Sequence, residues 1–262
     1  MSMDLSTRRL DELLTLISSD VPESISWKTI PGLVMRIGKQ HRDLSSYEIG
    51  KALEQLVLRE EARKKFRQPE SSFFLRKSLE QATHWRIAQY IADRLTGESV
   101  VDLTAGIGGD AVMFAESGVL RAVVEYDESI REVLRYNLRN FEEVAVLDSW
   151  VDVDWENVSV VYLDRNRRDE NGNVLVSMCD WQPNLVEVLP GLLSRVGRIV
   201  VKISPAFRET DLELLPAGWS LELISYEGEL KQAVLWYGYG CPQRRVTMVT
   251  DEKMFSFDDD IL

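Results

Sequence analysis

Val100-Val101-Asp102-Leu103-Thr104-Ala105-Gly106-Ile107-Gly108-Gly109-Asp110 is the stretch that decides the fold. A short apolar run ends in an acid, turns through three glycines and enters the helical-looking Ala111-Val112-Met113-Phe114-Ala115. Strand, glycine loop and helix in that order open a nucleotide-binding α/β domain. Glycine lets the backbone approach a ligand with no Cβ in the way, and the loop N–H groups favour electron-rich ligand atoms. The glycines alone are ambiguous, since Gly106-x-Gly108-x-x-Ala111 also fits a dinucleotide fingerprint with Ala at its third position. Asp102, four residues before the first glycine, separates the readings. An acid there has no evident use to a dinucleotide, and it suits a ligand carrying an amino group and a positive charge.

Outward from this stretch, strand and helix signals alternate from Ser99 on, as a mostly parallel sheet requires. The expected strands are Val100–Leu103, Arg121–Tyr126, Val144–Asp148, Val158–Asp164 and Arg198–Ser204. A helix carrying Ile130, Val133, Leu134 and Leu138 follows the second, and another over 181–194 precedes the fifth. Trp219–Tyr226 and Lys231–Gly238, joined around Glu227-Gly228, read as a closing hairpin. Five alternating units and a hairpin predict a Rossmann-like sheet of seven strands, where a dehydrogenase has six parallel ones. Before Ser99 the pattern is helical. Leu10, Leu13, Leu14 and Ile17 share a face, Ser45-x-x-Glu48 is a capping box, and Ser78-x-x-Gln81 reads as a second one ahead of Ile87, Ala88, Ile91 and Leu95. The reading is therefore a helical N-terminal domain over 1–96, an α/β domain over 97–250, and a frayed acidic tail over 251–262.

With 45% hydrophobic and 28% charged residues, the 262-residue chain has the make-up of a soluble globular protein with a substantial core. The first residues lack the basic and apolar regions of a signal peptide, and no apolar run approaches the length of a membrane span. Cys179 and Cys241 form neither a metal-like spacing nor a disulfide framework, which together with the missing leader gives an expected cytoplasmic location and no metal. His41 and His84 lack companions at ligand spacing and read as structural. The net charge of −12 argues against indiscriminate nucleic-acid binding, but it is uneven. Residues 1–100 carry net +2 and the remainder net −14. The basic excess lies in Arg59, Arg63, Lys64, Lys65, Arg67, Arg76 and Lys77, either a solvated helix face or a patch that contacts a polyanion such as RNA.

The Asp102–Asp110 segment resembles motif I of the class I S-adenosylmethionine-dependent methyltransferases. The resemblance implies that Asp102, Thr104, Gly106, Gly108 and Gly109 line the cofactor, with Asp102 near its methionine moiety. Glu125 ends the second strand 19 residues after Gly106, the span one βαβ unit allows for a carboxylate that meets a ribose diol. Asp127 is a second acid beside it, and Asp148 ends the third strand where the adenine would lie. Asp164 ends the fourth strand, facing the transferable methyl group. Methyl transfer is an in-line displacement, so an acceptor that holds or relieves the nucleophile's proton is the main catalytic demand, and Asp164 could supply it. Arg165, Arg167 and Arg168 could clamp a substrate phosphate or carboxylate, or could form internal salt bridges. Lys202, followed by Ser204-Pro205, could approach the site from the end of the fifth strand.

A narrower resemblance runs from about residue 50 to 240. Phe73-Phe74-Leu75-Arg76, Leu79-Glu80-Gln81-Ala82-Thr83, the glycine loop, Leu163-Asp164-x-x-Arg167-Arg168 and Gly228–Trp236 together resemble the bacterial class I methyltransferases that usually carry a THUMP-like domain. The glycine segment and the Phe-containing approach helix are also similar to trimethylguanosine synthases, which methylate an exocyclic amine of RNA. This implies an RNA substrate, with the Phe74–Thr83 segment closing over the cofactor. Two departures stand against it. Asp164 is followed by Arg165-Asn166, with neither the proline nor the aromatic that amine methyltransferases place there, and little sequence follows the seventh expected strand. Two further readings therefore stay open, a cofactor-binding protein without transferase activity and a small-molecule methyltransferase. A nicotinamide-dependent oxidoreductase rests on the glycine pattern alone.

Overall fold

The computed structural model describes residues 5–164, 184–240 and 243–259, with the side chains of Glu209 and Asp259 excepted. These fall into two units between which the chain passes repeatedly. The first takes the chain through Trp85, then Gly106–Gly109 and Asp127–Glu142. The second takes Arg86–Ala105, Asp110–Tyr126 and everything from Glu143 on. This division is discontinuous, unlike the single boundary at residue 96 that helical periodicity suggests.

The first unit is helical. In α1 (Thr7–Ile17) the Ser6 hydroxyl accepts the Arg9 N–H, and Leu10, Leu13, Leu14 and Ile17 are all buried, as their spacing requires. α2 (Ile30–Gln40) starts with proline in its first turn, where the missing N–H costs nothing. α3 (Ser46–Ala62) opens with the expected capping box, Ser45 and Glu48 each bonding the other's backbone N–H. The second expected box is absent. α4 (Arg76–Gln81) begins at Arg76 with Ser78 inside it and ends at Ala82, where the Lys65 ammonium donates to the Leu79 and Glu80 carbonyls. The apolar face of Ile87, Ala88 and Ile91 belongs to a separate helix, α5 (Trp85–Arg94), nearly all of which falls in the second unit. The first unit is completed by α7 (Glu128–Asn137), numbered in chain order after the short α6 (Ala111–Glu116) of the second. The side chain of Asn137 accepts the Phe73 N–H at 2.8 Å and donates to the carbonyls of Phe73 at 3.0 Å and Ile107 at 2.8 Å.

The second unit is built on one mixed sheet of nine strands among the described residues. In chain order they are β1 (Val100–Asp102), β2 (Leu120–Val124), β3 (Ala145–Leu147), β4 (Val160–Asp164), β5 (Arg198–Ile203), β6 (Trp219–Tyr226), β7 (Glu229–Tyr237), β8 (Arg244–Val249) and β9 (Met254–Asp259). Their order across the sheet is β3-β2-β1-β4-β5-β7-β6-β8-β9. The first five are parallel, and β7 runs antiparallel to both β5 and β6. These seven match the expected strands in place and sequence. The sheet then continues beyond the seven: β8, at the end of the expected α/β domain where no further strand was read, pairs parallel with β6, and β9, which lies where a frayed tail was expected, pairs antiparallel with β8. β1 is buried throughout and β4 up to Asp164, as a covered parallel sheet demands, and α8 (Leu185–Leu193) sends Leu185, Leu189 and Leu192 into the core against Val161, Ile199 and Val201.

A polar knot ties α5 to the antiparallel half of the sheet. Glu222, 1% exposed on β6, receives hydrogen bonds from Trp236 Nε1 at 2.8 Å, from Thr247 Oγ1 at 2.5 Å, and from the Tyr90 hydroxyl. Arg94 supplies the counter-charge at 2.5 Å and stacks 3.9 Å from the centre of the Trp236 ring. Trp236, expected to be a packing residue, is one at full burial.

Candidate functional site

In the second unit the chain goes out from β1 to β2 and β3 on one side and returns to β4 on the other, so the strand order reverses between β1 and β4. Loops diverge at such a point, and open α/β sheets place ligands there, at the carboxyl ends of the strands. The carboxyl ends of β1, β4 and β5 bring a charged cluster together. Asp102 ends β1 at 1% exposure, and its Oδ1 accepts the Thr104 N–H at 2.9 Å, an Asx-type turn that starts the loop. The Thr104 hydroxyl accepts the N–H of Asp164, at the end of β4, at 2.6 Å. The Lys202 ammonium, buried on β5, sits 2.7 Å from Asp164 Oδ2 and 3.5 Å from Asp110 Oδ2. Beneath them the buried Tyr162 ring packs edge-on against Phe114 at 4.8 Å.

The cluster thus sets one cation among three acids. Burial pushes the Asp102 carboxyl well above the usual carboxylate range, and the charges of Asp110 and Asp164 push the same way. The Thr104 N–H and the Lys202 charge oppose it. Burial likewise raises the Tyr162 hydroxyl, helped by the three acids around it. Asp102, Thr104 and Asp164 are thus sequence candidates that the fold gathers. Asp110, Tyr162 and the full extent of Lys202's burial were not legible, because a polar residue at a strand end or helix start reads as solvated until its neighbours are known.

Glu125 follows β2 and is buried. Its N–H donates to the Leu147 carbonyl of β3 at 3.1 Å, which sets it beside the exposed Asp148 that follows that strand. Tyr126, next to Glu125, is 81% exposed, an aromatic face that the sequence reading passed over. Asp127 has structural work of its own: its Oδ1 accepts the N–H groups of Ser129 and Ile130 and caps α7. Arg167 and Arg168 lie outside the described residues.

The glycines Gly106–Gly109 belong to the first unit. Gly106 and Gly108 have φ of +55° and +93°, conformations that strain any residue with a Cβ. Gly109 is needed for a different reason: a Cβ there would lie 3.4 Å from Ala82 Cβ and 3.8 Å from the tip of Phe66. Phe66 in turn packs edge-on against Phe74, ring centres 4.8 Å apart. Phe74 is fully buried, with its backbone N–H and carbonyl both bonded to Gln55, so it supports the wall behind the loop.

Much of the basic stretch in this unit is committed internally. Arg59 donates to the Ser72 carbonyl, Lys65 caps α4, and Arg63 pairs with Glu60 and Glu70. Arg76 stacks 4.0 Å from the centre of Trp27. Lys64 and Lys77 are exposed. Among the described residues, no His, Cys, Asp or Glu group is arranged to hold a metal ion, and no helix is long and apolar enough to cross a membrane.

No protein-family model matches the chain. It is 30% identical over 170 residues to two Mycobacterium tuberculosis proteins, from strains CDC 1551 / Oshkosh and ATCC 25618 / H37Rv, each described as an uncharacterised S-adenosylmethionine-dependent methyltransferase. The match covers 62% of this chain and 45% of each relative, so the chain spans less than half the length of those proteins. A crystal structure of a presumed methyltransferase from Porphyromonas gingivalis W83 superposes with a TM-score of 0.76 at 18% identity, over 98% of this chain and 66% of that one. With the strand order found above, that agreement over nearly the whole chain gives it the α/β fold of the class I S-adenosylmethionine-dependent methyltransferases.

Proposed function

We propose that the chain binds S-adenosylmethionine and transfers its methyl group to RNA, at a base or an exocyclic amine. The observation that carries the reading is the acidic cluster at the carboxyl ends of β1, β4 and β5, at the point where the strand order reverses. The residues present fit such a cofactor. It is cationic, and the carboxylates of Asp110 and Asp164 together exceed the charge of Lys202, with the Asp102 carboxyl buried beside them. Glu125 offers a buried carboxylate to a ribose diol, Asp148 an acceptor to an amine, and Tyr126 a flat face to a base. Gly106 would direct a Cβ into open space, so its φ alone requires glycine. Asp127, already capping α7, is the weakest member of this set.

The bound cofactor supplies an electrophilic methyl group. The protein's part is to hold a nucleophile in line with it and to take up the proton that leaves. Asp164 is the acceptor in this reading, held by its backbone to Thr104 and by its carboxylate to Lys202. Arg167 and Arg168 would then meet the substrate's phosphate. RNA is supported by the Arg59–Lys77 stretch, through its exposed members Lys64 and Lys77, and by the resemblance in motif order. The cytoplasm suits that substrate.

Calorimetric titration with S-adenosylmethionine, S-adenosylhomocysteine and a nicotinamide dinucleotide tests the pocket. Both adenosyl ligands should bind in the micromolar range and Glu125→Ala should abolish it. Binding of the dinucleotide alone would replace this reading with an oxidoreductase. A second reading follows from Arg165-Asn166 standing where amine methyltransferases have proline and an aromatic. In it the cofactor binds and little or nothing is transferred, so tight binding with no label passed from the tritiated methyl donor to total RNA would favour it. Transfer to small molecules in the same assay would instead identify a small-molecule methyltransferase.

A further inference from the structure

β7 begins its buried run with a polar residue. Gln232 is 2% exposed, and among the described residues its Nε2 meets no hydrogen-bond acceptor. Buried amides are nearly always paired, so an unanswered one calls for a partner. Its neighbours on the sheet do not supply one. Ile224, opposite it on β6, and Val234, two residues along β7 on the same face, are apolar and fully buried. The ladder then pairs Ser225 with Leu230 and leaves Lys231 out of register. Such bulges recur beside functional sites, where they re-aim a side chain.

The register sets this amide near the charged cluster. Val234 pairs with Lys202 of β5, and Lys202 with Asp164 of β4, so Gln232 lies on the sheet face that carries both charges. It is the diagonal neighbour of Lys202, roughly 7–8 Å away along the backbone. The Lys202 ammonium in turn sits 2.7 Å from Asp164 Oδ2. Ala233 pairs with Ile203, so Gln232 is level with Ser204, which follows β5. Across the sheet β7 stands two strands beyond β4, roughly 10 Å, on the side away from β1. A cofactor seated over β1 that points its methyl group toward Asp164 leaves the ground over β5 and β7 to the methyl acceptor.

We propose that Gln232 recognises the methyl acceptor, its amide NH2 donating to a carbonyl oxygen or an unprotonated ring nitrogen on the same flat group that Asp164 meets. This role rests on the reading of the chain as an RNA methyltransferase, and it names the edge by which that enzyme holds its base. A nucleobase suits the span, being rigid and carrying such an acceptor within a ring's width of its methylated atom. The glutamine amide also matches the paired donors and acceptors of base edges. An ionised Asp164 can only accept, so the neutral donor for the other edge comes from Gln232. Sequence spacing offers no hint of this, since a glutamine near a hairpin turn reads as solvated.

Gln232→Met and Gln232→Glu test it, with total RNA and a tritiated methyl donor as probes. Met fills a similar volume without the amide, so the melting temperature should hold or rise. Glu keeps the shape and, when ionised, removes the donor. In both variants kcat/KM for total RNA should fall at least about tenfold, while calorimetry finds S-adenosylhomocysteine affinity unchanged. Nuclease digestion of RNA labelled by the wild type should find the methyl group on a base. A marked fall in the melting temperature of Gln232→Met would mean that the amide is paired within the protein, and overturns the proposal. So does either variant methylating as well as wild type, a parallel loss of S-adenosylhomocysteine affinity, or a methylated ribose hydroxyl. A wild-type chain that transfers no label to RNA removes the methyltransferase reading itself, and this role with it.

Discussion

Asp102 shows how one side chain can be both scaffold and chemistry. It begins the loop by accepting the Thr104 N–H, and it does so almost wholly buried beside two other acids. Its folded pKa is raised, with burial the leading cause, so between the ordinary carboxylate value and the raised one the native state holds a proton that the unfolded chain has released. Stability from this group is therefore complete below the unfolded pKa and is lost as pH rises through the folded one. Asn at 102 keeps the acceptor and removes the titration. The melting temperature of Asp102→Asn, relative to wild type, should rise as the pH climbs above the ordinary carboxylate value of about 4; parallel curves would show that Asp102 ionises normally. The acids at strand ends could be read in the sequence because a strand that stops at a carboxylate is a local pattern. Lys202 shows the limit: a cation within Arg198–Ile203 says nothing of burial until β4 and α6 supply Asp164 and Asp110.

At the scale of elements, α5 and β8 owe their positions to Glu222. Truncating one partner of a buried ion pair leaves the other charge without compensation, a cost of about 3–5 kcal/mol. Here the Tyr90, Trp236 and Thr247 donors and Arg94 would each lose the acceptor they share. Glu222→Ala should lose that much in urea denaturation, and a loss under about 1 kcal/mol would mean the knot contributes little beyond packing. The helices and the first seven strands could be read from period, capping and turn residues. The break between α4 and α5 could not, because Lys65, far back in the chain, stops the first of them. The tail misled for a related reason. Its aspartates suggest solvation, whereas Phe255 and Phe257 alternate with polar residues and Arg245 holds Asp258 with two hydrogen bonds.

For the molecule as a whole, charge is divided as the sequence indicated, and the internal ties of Arg59, Arg63 and Lys65 narrow the cations left to meet a polyanion. Lys64→Glu with Lys77→Glu should weaken binding of a labelled single-stranded RNA and flatten its salt dependence by about one unit of slope per lost phosphate contact, with S-adenosylhomocysteine affinity unchanged. Equal affinity in fluorescence anisotropy would remove this patch from the reading. Helical periodicity could not reveal how the chain is shared between the units, since it reports local faces and α7 joins the first unit across a long separation. That sharing bears on synthesis. A ribosome delivers the first 85 residues long before Ile107, Val133 and Asn137, yet all three belong to the same core or its stitching. The core begun by α1 and α3 therefore has to wait for α7 before it can close, and a nascent chain halted ahead of α7 would expose the apolar faces of α1 and α3 to whatever chaperone attends it.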